Sequence, residues 1–155
     1  MGITVSIENN ALRKREIQQQ LTARLPEWFG QAESNLHYAR QAEVLAGYVA
    51  RIDGEGRGML LLKVCSAISA EIYWMGVDPN CHRVGVGRAL IEFTCQTAHA
   101  NRTKFLFVAT LHPRELYEPY QRTRRFYEAM AFQYVLEEQF PRAGIPLAYY
   151  MRQIA

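Results

Sequence analysis

Apolar and polar residues alternate from the start of the chain. Ile3, Val5 and Ile7 in "ITVSI" keep the two-residue period of a strand, and Asn9-Asn10 then offer a helix cap. Helix-forming, mostly polar residues run from Ala11 to about Leu25 and are broken by Pro26, so "LPEWF" places Trp28 and Phe29 in a loop or a second helical turn. Ser34 can cap a short helix carrying Leu36, Tyr38 and Ala39. "EVLAGYVARID" reads as a strand, and Gly54, Gly56 and Gly58 mark the hairpin turn after it. The near-continuous apolar runs "MLLLKVCSA" (59–67) and "AEIYWMGV" (70–77) read as strands buried on both faces. Leu90, Phe93, Thr94 and Thr97 predict an amphipathic helix from Gly87 to about Ala100. "KFLFVAT" (104–110) is a further strand. "PYQRTRRFYEAM" (119–130) is a helix with Thr123, Phe126, Tyr127 and Met130 on one face. The strands "FQYVLEE" and "LAYYMRQI" close the chain, separated by a loop holding Pro141, Gly144 and Pro146. The order β-α-α-β-β-β-α-β-α-β-β, without repeats or linkers, predicts one α/β domain over residues 1–155 with a mixed sheet.

Composition narrows the class of partner. With 155 residues, 49% of them hydrophobic, the chain can bury a core, and a formal charge of +3 is too mild to predict nucleic-acid binding. Cys65, Cys81 and Cys95 show no C-x-x-C spacing, which predicts neither a disulfide framework nor a metal site. "MGITVSIENN" lacks the apolar core of a signal peptide, so the cytoplasm is expected. No apolar run reaches the roughly 20 residues that a membrane helix needs.

The chemistry concentrates in "GVDPNCHRVGVGRALIEF" (76–93), where a strand runs into two glycines and then a helix. Free N–H groups at a helix start, with the helix dipole behind them, form a cradle for phosphate, and glycine lets the anion approach the backbone. The segment does not match a Walker A loop. It also fails the dinucleotide fingerprint, because Leu90 stands where a third glycine is needed and no acid follows at ribose distance. A plain tight turn is the other reading of G-x-G alone.

The strand ending "GVDP", then "CHRVGVGRAL", then "TRRFYEAMAF" some forty residues later resembles the GNAT superfamily of acyl-CoA-dependent N-acyltransferases. Its hallmarks are [RQ]-x-x-G-x-[GA] after the fourth strand and F-Y-E-x-x-G-F on a late helix. The likeness covers most of the chain and is closest to a bacterial single-domain subgroup of undefined acceptor. It implies a mostly antiparallel sheet of about seven strands with about four helices, in which strands four and five splay apart. Three positions depart from the pattern: His82 stands in place of Arg or Gln, Ala131 in place of Gly, and Thr110 near the place of a frequent Asn.

The resemblance implies acetyl-CoA as co-substrate, no metal, and an amine as acceptor. Arg83, Val84, Gly85, Val86, Gly87 and Arg88 are then expected to hold the pyrophosphate. Met75, Gly76 and Val77 would pair with the pantetheine, with Thr110 beside it. The N–H of Val77, or of a neighbour at a bulge, would polarise the thioester carbonyl. An amine with a pKa of about 10.4 must lose a proton before attack, and a thiol of about 8.5 leaves more easily beside a donor. Glu71, eleven positions before His82, is the candidate base, sharing a face with Tyr73 and Met75; the alternative is a solvated strand-end carboxylate. Tyr127 is the candidate donor to the coenzyme sulfur; the alternative is a core aromatic. Trp28, Phe29, Tyr149 and Tyr150 lie in segments that line the acceptor pocket in this fold, with core packing the alternative for each, and Arg122, Arg124 and Arg125 are expected to reach the coenzyme's 3′-phosphate or lie in solvent. A monomer or homodimer acting on a small-molecule or protein amine is expected. Two rival readings remain. The same fold can act as a non-catalytic acyl-CoA sensor or protein-interaction module, and "QRTRRFYEAM" can act as a basic nucleic-acid helix, which Phe126 and Tyr127 on a core face disfavour.

Overall fold

The computed structural model describes residues 2–138 and 144–154; Pro141, in the loop expected before the last strand, lies outside them. Its strands are β1 (Ile3–Glu8), β2 (Ala46–Ile52), β3 (Glu55–Val64), β4 (Ser69–Val77), β5 (Phe105–Leu111), β6 (Gln133–Glu137) and β7 (Leu147–Gln153). The α-helices are α1 (Ala11–Ala23), α2 (Ala32–Val44), α3 (Val86–Ala100) and α4 (Glu118–Ala129). They follow the predicted order. The second helix differs: it starts before Ser34 and runs through Glu43 and Val44, which were expected in a strand. Ala39 and Ala42 explain this, because both are fully buried on its inner face and bring the helix close against its neighbours. No helix among the described residues is long and apolar enough to cross a membrane.

The strands form one seven-stranded sheet in the order β1-β2-β3-β4-β5-β7-β6. Every neighbouring pair is antiparallel except β4 and β5. One face packs against α3 and α4 through Leu60, Leu62, Ile72, Leu90, Ile91 and Tyr127. The other packs against α1 and α2 through Val49, Met59, Leu61, Trp74, Leu21 and Ala42. Strand β3 therefore feeds both cores by simple alternation, and the expected two-sided burial holds from Gly58 to Leu62. In β4 buried and half-buried residues alternate along the whole strand.

A β-bulge interrupts β4. Leu61 pairs with Trp74 and Leu62 with Ile72, which leaves Tyr73 without an opposite number. The extra residue reverses the side-chain parity: Ala70 and Ile72 pack on the α3/α4 core, and beyond the bulge so do Met75 and Val77. The expectation that Glu71 and Met75 share a face is therefore corrected, since Glu71 alternates with Ala70 and Ile72 and faces the opposite way. Pairing with β5 ends at the same place. It covers Ser69–Ile72 against Phe105–Val108 and goes no further, so the two strands part at the bulge.

The free end of β4 is anchored by Asp78. Its carboxylate is fully buried and accepts from Arg57 Nη1 at 3.0 Å, from Arg24 Nη1 at 2.5 Å and from the N–H of Asn80 at 2.9 Å. Burial by itself would push this carboxyl up; the Asn80 N–H and the two guanidinium groups outweigh it and hold the carboxyl below the usual range. A depressed carboxyl stabilises the fold above its unfolded pKa of about 3.9, and that contribution is lost as pH falls through the lower folded value. Asp78→Asn should cost roughly 1.5–3 kcal/mol at pH 7, and the gap to the parent should narrow towards pH 3. Denaturant titrations at the two pH values check this; an equal gap at both would remove the charge from the explanation.

Candidate functional site

Beyond Asp78 the chain makes a short 3-10 turn, Pro79–Cys81, and then the loop that starts α3. Arg83 (φ 65°) and Gly85 (φ 95°) both adopt left-handed backbone, which at Gly85 suits a residue without a Cβ. The first bond of the helix runs from Ala89 N to Gly85 O at 2.9 Å. The N–H groups of Arg83 to Arg88 find no acceptor among the described residues. Gly87 is needed for closeness: a Cβ there would lie 3.0 Å from the Phe126 ring and 3.5 Å from Met75. The loop thus presents a row of free amides, the positive end of a helix and two exposed arginines, Arg83 and Arg88, which together suit a pyrophosphate.

The β4 edge beside this loop is also free. Asp78 N bonds Arg57 O at 2.8 Å, which makes these two a hydrogen-bonded pair. Antiparallel alternation then leaves Val77, opposite Gly58, and Met75, opposite Leu60, with N–H and C=O groups turned away from β3 and into the split. The Val77 oxygen there meets His82 Nε2 at 2.9 Å. Tyr127, buried between Phe126 and Phe132, points its hydroxyl at Met75 Sδ, 3.8 Å away, a weak acceptor. Burial, with a smaller contribution from Tyr120, pushes the Tyr127 phenol well up, so it keeps its proton. Thr110 is buried on β5, and its Oγ1 has no partner among the described residues. Coenzyme A fits these groups: free amides for its phosphates, an unpaired strand edge for its pantetheine, and two under-used hydroxyls in the split for its thioester end.

Glu71 lies on the opposite face, half-buried, with Lys63 across β3 and Phe107 across β5. Burial pushes its carboxyl up, Lys63 pulls it down and Glu138 pushes it up again, leaving it above the usual carboxylate range. Lys63 sits over the Tyr73 ring at 5.3 Å, and Tyr73 Oη contacts His37 Nε2 at 2.9 Å.

The aromatics weighed between acceptor pocket and core take different places. Tyr150 is 4% exposed and packs in the α3/α4 core beside Tyr134, because Ala148 and Tyr150 are the inward residues of β7. Its neighbour Tyr149 faces the Glu71 side, and after burial the nearest influences on its phenol are Glu138 and Glu71. Trp28 is a structural clasp: its Nε1 donates to Pro119 O at 3.1 Å and Thr123 Oγ1 at 3.0 Å, with Arg122 stacked over its ring at 5.2 Å. Tyr120 and Tyr117 close the clasp by donating to Trp28 O and Glu27 O at 3.0 and 2.7 Å. Phe29 packs on Trp74 at 5.2 Å.

The arginines of α4 are also largely occupied. Arg124 is buried and bonds Leu111 O at 2.8 Å and Glu115 O at 3.3 Å, tying the β5–α4 loop to the helix. Arg122 pairs with Glu118 and Glu27, and of the three Arg125 is the exposed one. Sequence reasoning named Tyr149 and His82 but missed the place of Tyr149 beside Glu71, the bond of His82 to Val77, and the tyrosines of the clasp. The parity of "AYYM" held a signal for Tyr149, but only the observed register says which parity is core.

Residues 43–134 match the family model for the acetyltransferase (GNAT) domain. No curated protein is similar enough to the chain to count as a relative. Among solved structures, a protein of Desulfovibrio desulfuricans described as a GNAT-family acetyltransferase superposes with a TM-score of 0.84 at 18% identity, covering 99% of this chain and 100% of its own. The ribosomal-protein-S18-alanine N-acetyltransferase of Escherichia coli gives 0.74 at 15% identity, covering 98% and 95%. A GNAT-family acetyltransferase of Elizabethkingia anophelis, solved with acetyl-CoA bound, gives 0.70 at 15%, covering 97% of each chain.

If Trp28 is the clasp that its bonds describe, Trp28→Phe should keep the ring contacts, lose both Nε1 bonds and cost about 1 kcal/mol. A denaturation midpoint equal to the parent's would instead leave Trp28 free for a ligand.

Proposed function

The chain belongs to the GNAT acetyltransferase family, and we propose that it transfers an acetyl group from acetyl-CoA to a primary amine by direct attack. In this reading residues 1–155 work as one domain in the cytoplasm, as monomer or homodimer, on a small-molecule or protein amine. The observation that carries it is the row of unbonded amides from Arg83 to Arg88, set at the end of a strand whose free edge leads to the Tyr127 hydroxyl.

Acetyl-CoA supplies the activated thioester. Glu71 takes the proton from the acceptor's ammonium, and its raised carboxyl makes it a better base than an ordinary carboxylate. The amine's lone pair forms the new C–N bond as the C–S bond breaks, and the electron pair of that bond stays on sulfur. The Val77 N–H, at the free edge, donates to the thioester oxygen as negative charge develops there. Tyr127 donates a hydrogen bond to the departing sulfur. Because burial holds its phenol well above a thiol's usual value of about 8.5, Tyr127 steadies the thiolate without losing its proton outright. The second amine proton leaves through Glu71 to water, and the sulfur is protonated from solvent.

Calorimetric titration with acetyl-CoA, with thiol release measured over a panel of amines, tests the reading. Micromolar binding with amine-dependent release is expected. Binding with no release on any amine would favour the acyl-CoA sensor, and no binding would overturn the cradle.

Two variants separate the roles. Glu71→Gln should lower kcat by about 100-fold or more and flatten the acid limb of the pH–rate profile, whose midpoint lies above the ordinary value of about 4.3. An unchanged profile would assign deprotonation to another group. Tyr127→Phe should lower kcat about tenfold, or about 1.4 kcal/mol, with the midpoint of unfolding nearly unchanged. A parent-like kcat would make Tyr127 a core aromatic only.

A further inference from the structure

His82 occupies the loop position where the resemblance leads one to expect Arg or Gln, and its side chain turns back to the strand. Nε2 lies 2.9 Å from the Val77 carbonyl oxygen. A carbonyl can only accept, so Nε2 carries the hydrogen. The half-buried imidazole meets the Trp28 ring edge-on at 5.9 Å and 84°. Trp28 is itself fixed to α4 by its bonds to Pro119 O and Thr123 Oγ1, at 3.1 and 3.0 Å. A continuous set of contacts therefore runs from α4 through Trp28 and His82 to the last residue of β4.

Val77 needs such a hold. Its register position turns both backbone groups away from β3, and pairing with β5 has ended five residues earlier, after Ile72. Without His82 its carbonyl would face the split unpaired. The peptide would then be held only at its other end, by Asp78 N to Arg57 O, and its partial negative oxygen would lie near the oxygen on which charge develops. A donated hydrogen bond removes both problems. We infer that His82 is a positioning residue for acyl transfer: it fixes the Val77 backbone so that the β4 amides stay aimed into the split. Val84 to Arg88 can still bind the pyrophosphate without it, so the effect falls on the chemical step and spares coenzyme affinity.

The inference rests on the acetyltransferase reading, and His82→Ala and His82→Gln test it together with the parent. Gln can present its Nε2 donor where His82 presents its own, whereas Ala cannot. For Ala, kcat for thiol release should fall about tenfold, while acetyl-CoA affinity by calorimetry stays within about twofold. Amide hydrogen exchange at Asp78, whose N–H belongs to the same peptide as the Val77 carbonyl and bonds Arg57 O, should quicken about tenfold in the ligand-free protein, and Gln should recover most of both losses. A parent-like kcat and exchange rate in His82→Ala, a loss carried wholly by weaker coenzyme binding, or Gln no better than Ala would each overturn the positioning role while leaving the transferase intact. A parent protein that neither binds acetyl-CoA nor releases thiol would overturn the transferase reading and this inference with it.

Discussion

The architecture of the site depends on one place, the bulge at Tyr73 where β4 stops pairing with β5. A sheet normally satisfies every interior backbone group with its neighbours. Here the ladder ends halfway along a central strand, and Met75 and Val77 are left with amides and carbonyls that no strand takes up. Such an edge is unfavourable in a folded core unless something else bonds to it. Everything near it can be read as a response. His82 occupies the Val77 carbonyl, Asp78 anchors the strand end to two arginines, and the clasp of Trp28, Tyr117 and Tyr120 joins the two halves of the molecule beside the opening. Among the described residues the edge N–H groups and the hydroxyl of Thr110 find no partner, and they are the chemistry an amide-bearing thioester would complement.

The bulge also sorts the reacting groups by face. Ahead of it Glu71 looks towards the α1/α2 side; beyond it Met75 and Val77 look towards α3 and α4, where Tyr127 waits. In the proposed mechanism base and sulfur donor therefore approach the split from opposite sides. An acceptor can enter by the Glu71 face without crossing the path of the coenzyme, and the two substrates meet only where the strands part.

Much of this was legible in the chain. The element order followed from two-residue and helical periods, and the cradle from two glycines at a strand-to-helix junction. The bulge was not legible, because "EIYWMG" has apolar residues at either parity and nothing in it says where the count slips. That single residue decides which face Met75 takes. The Tyr149–Tyr150 pair had the same ambiguity: two identical side chains in succession carry no parity of their own, and β7 is read correctly only from its partners β5 and β6. Arg124 misleads differently. A lone arginine among others on a helix reads as solvated, yet a guanidinium can be buried where backbone carbonyls converge, as those of Leu111 and Glu115 do.

The same geometry bears on whether the acyl group passes through a cysteine. A covalent relay would need a thiol with a ready supply of thiolate at the split. Burial pushes the thiols of Cys65 and Cys95 up, and it outweighs the pull of Lys63 on the first and of Arg152 on the second. Neither has a bonded base among the described residues. Cys65 lies just past the end of β3, on the acceptor side with Glu71, and Cys95 is in the middle of α3, so neither adjoins the Tyr127 hydroxyl and the Val77 amide together. Neither of these two thiols is placed to take an acyl group held there, which agrees with the proposed attack by an amine deprotonated on the Glu71 face.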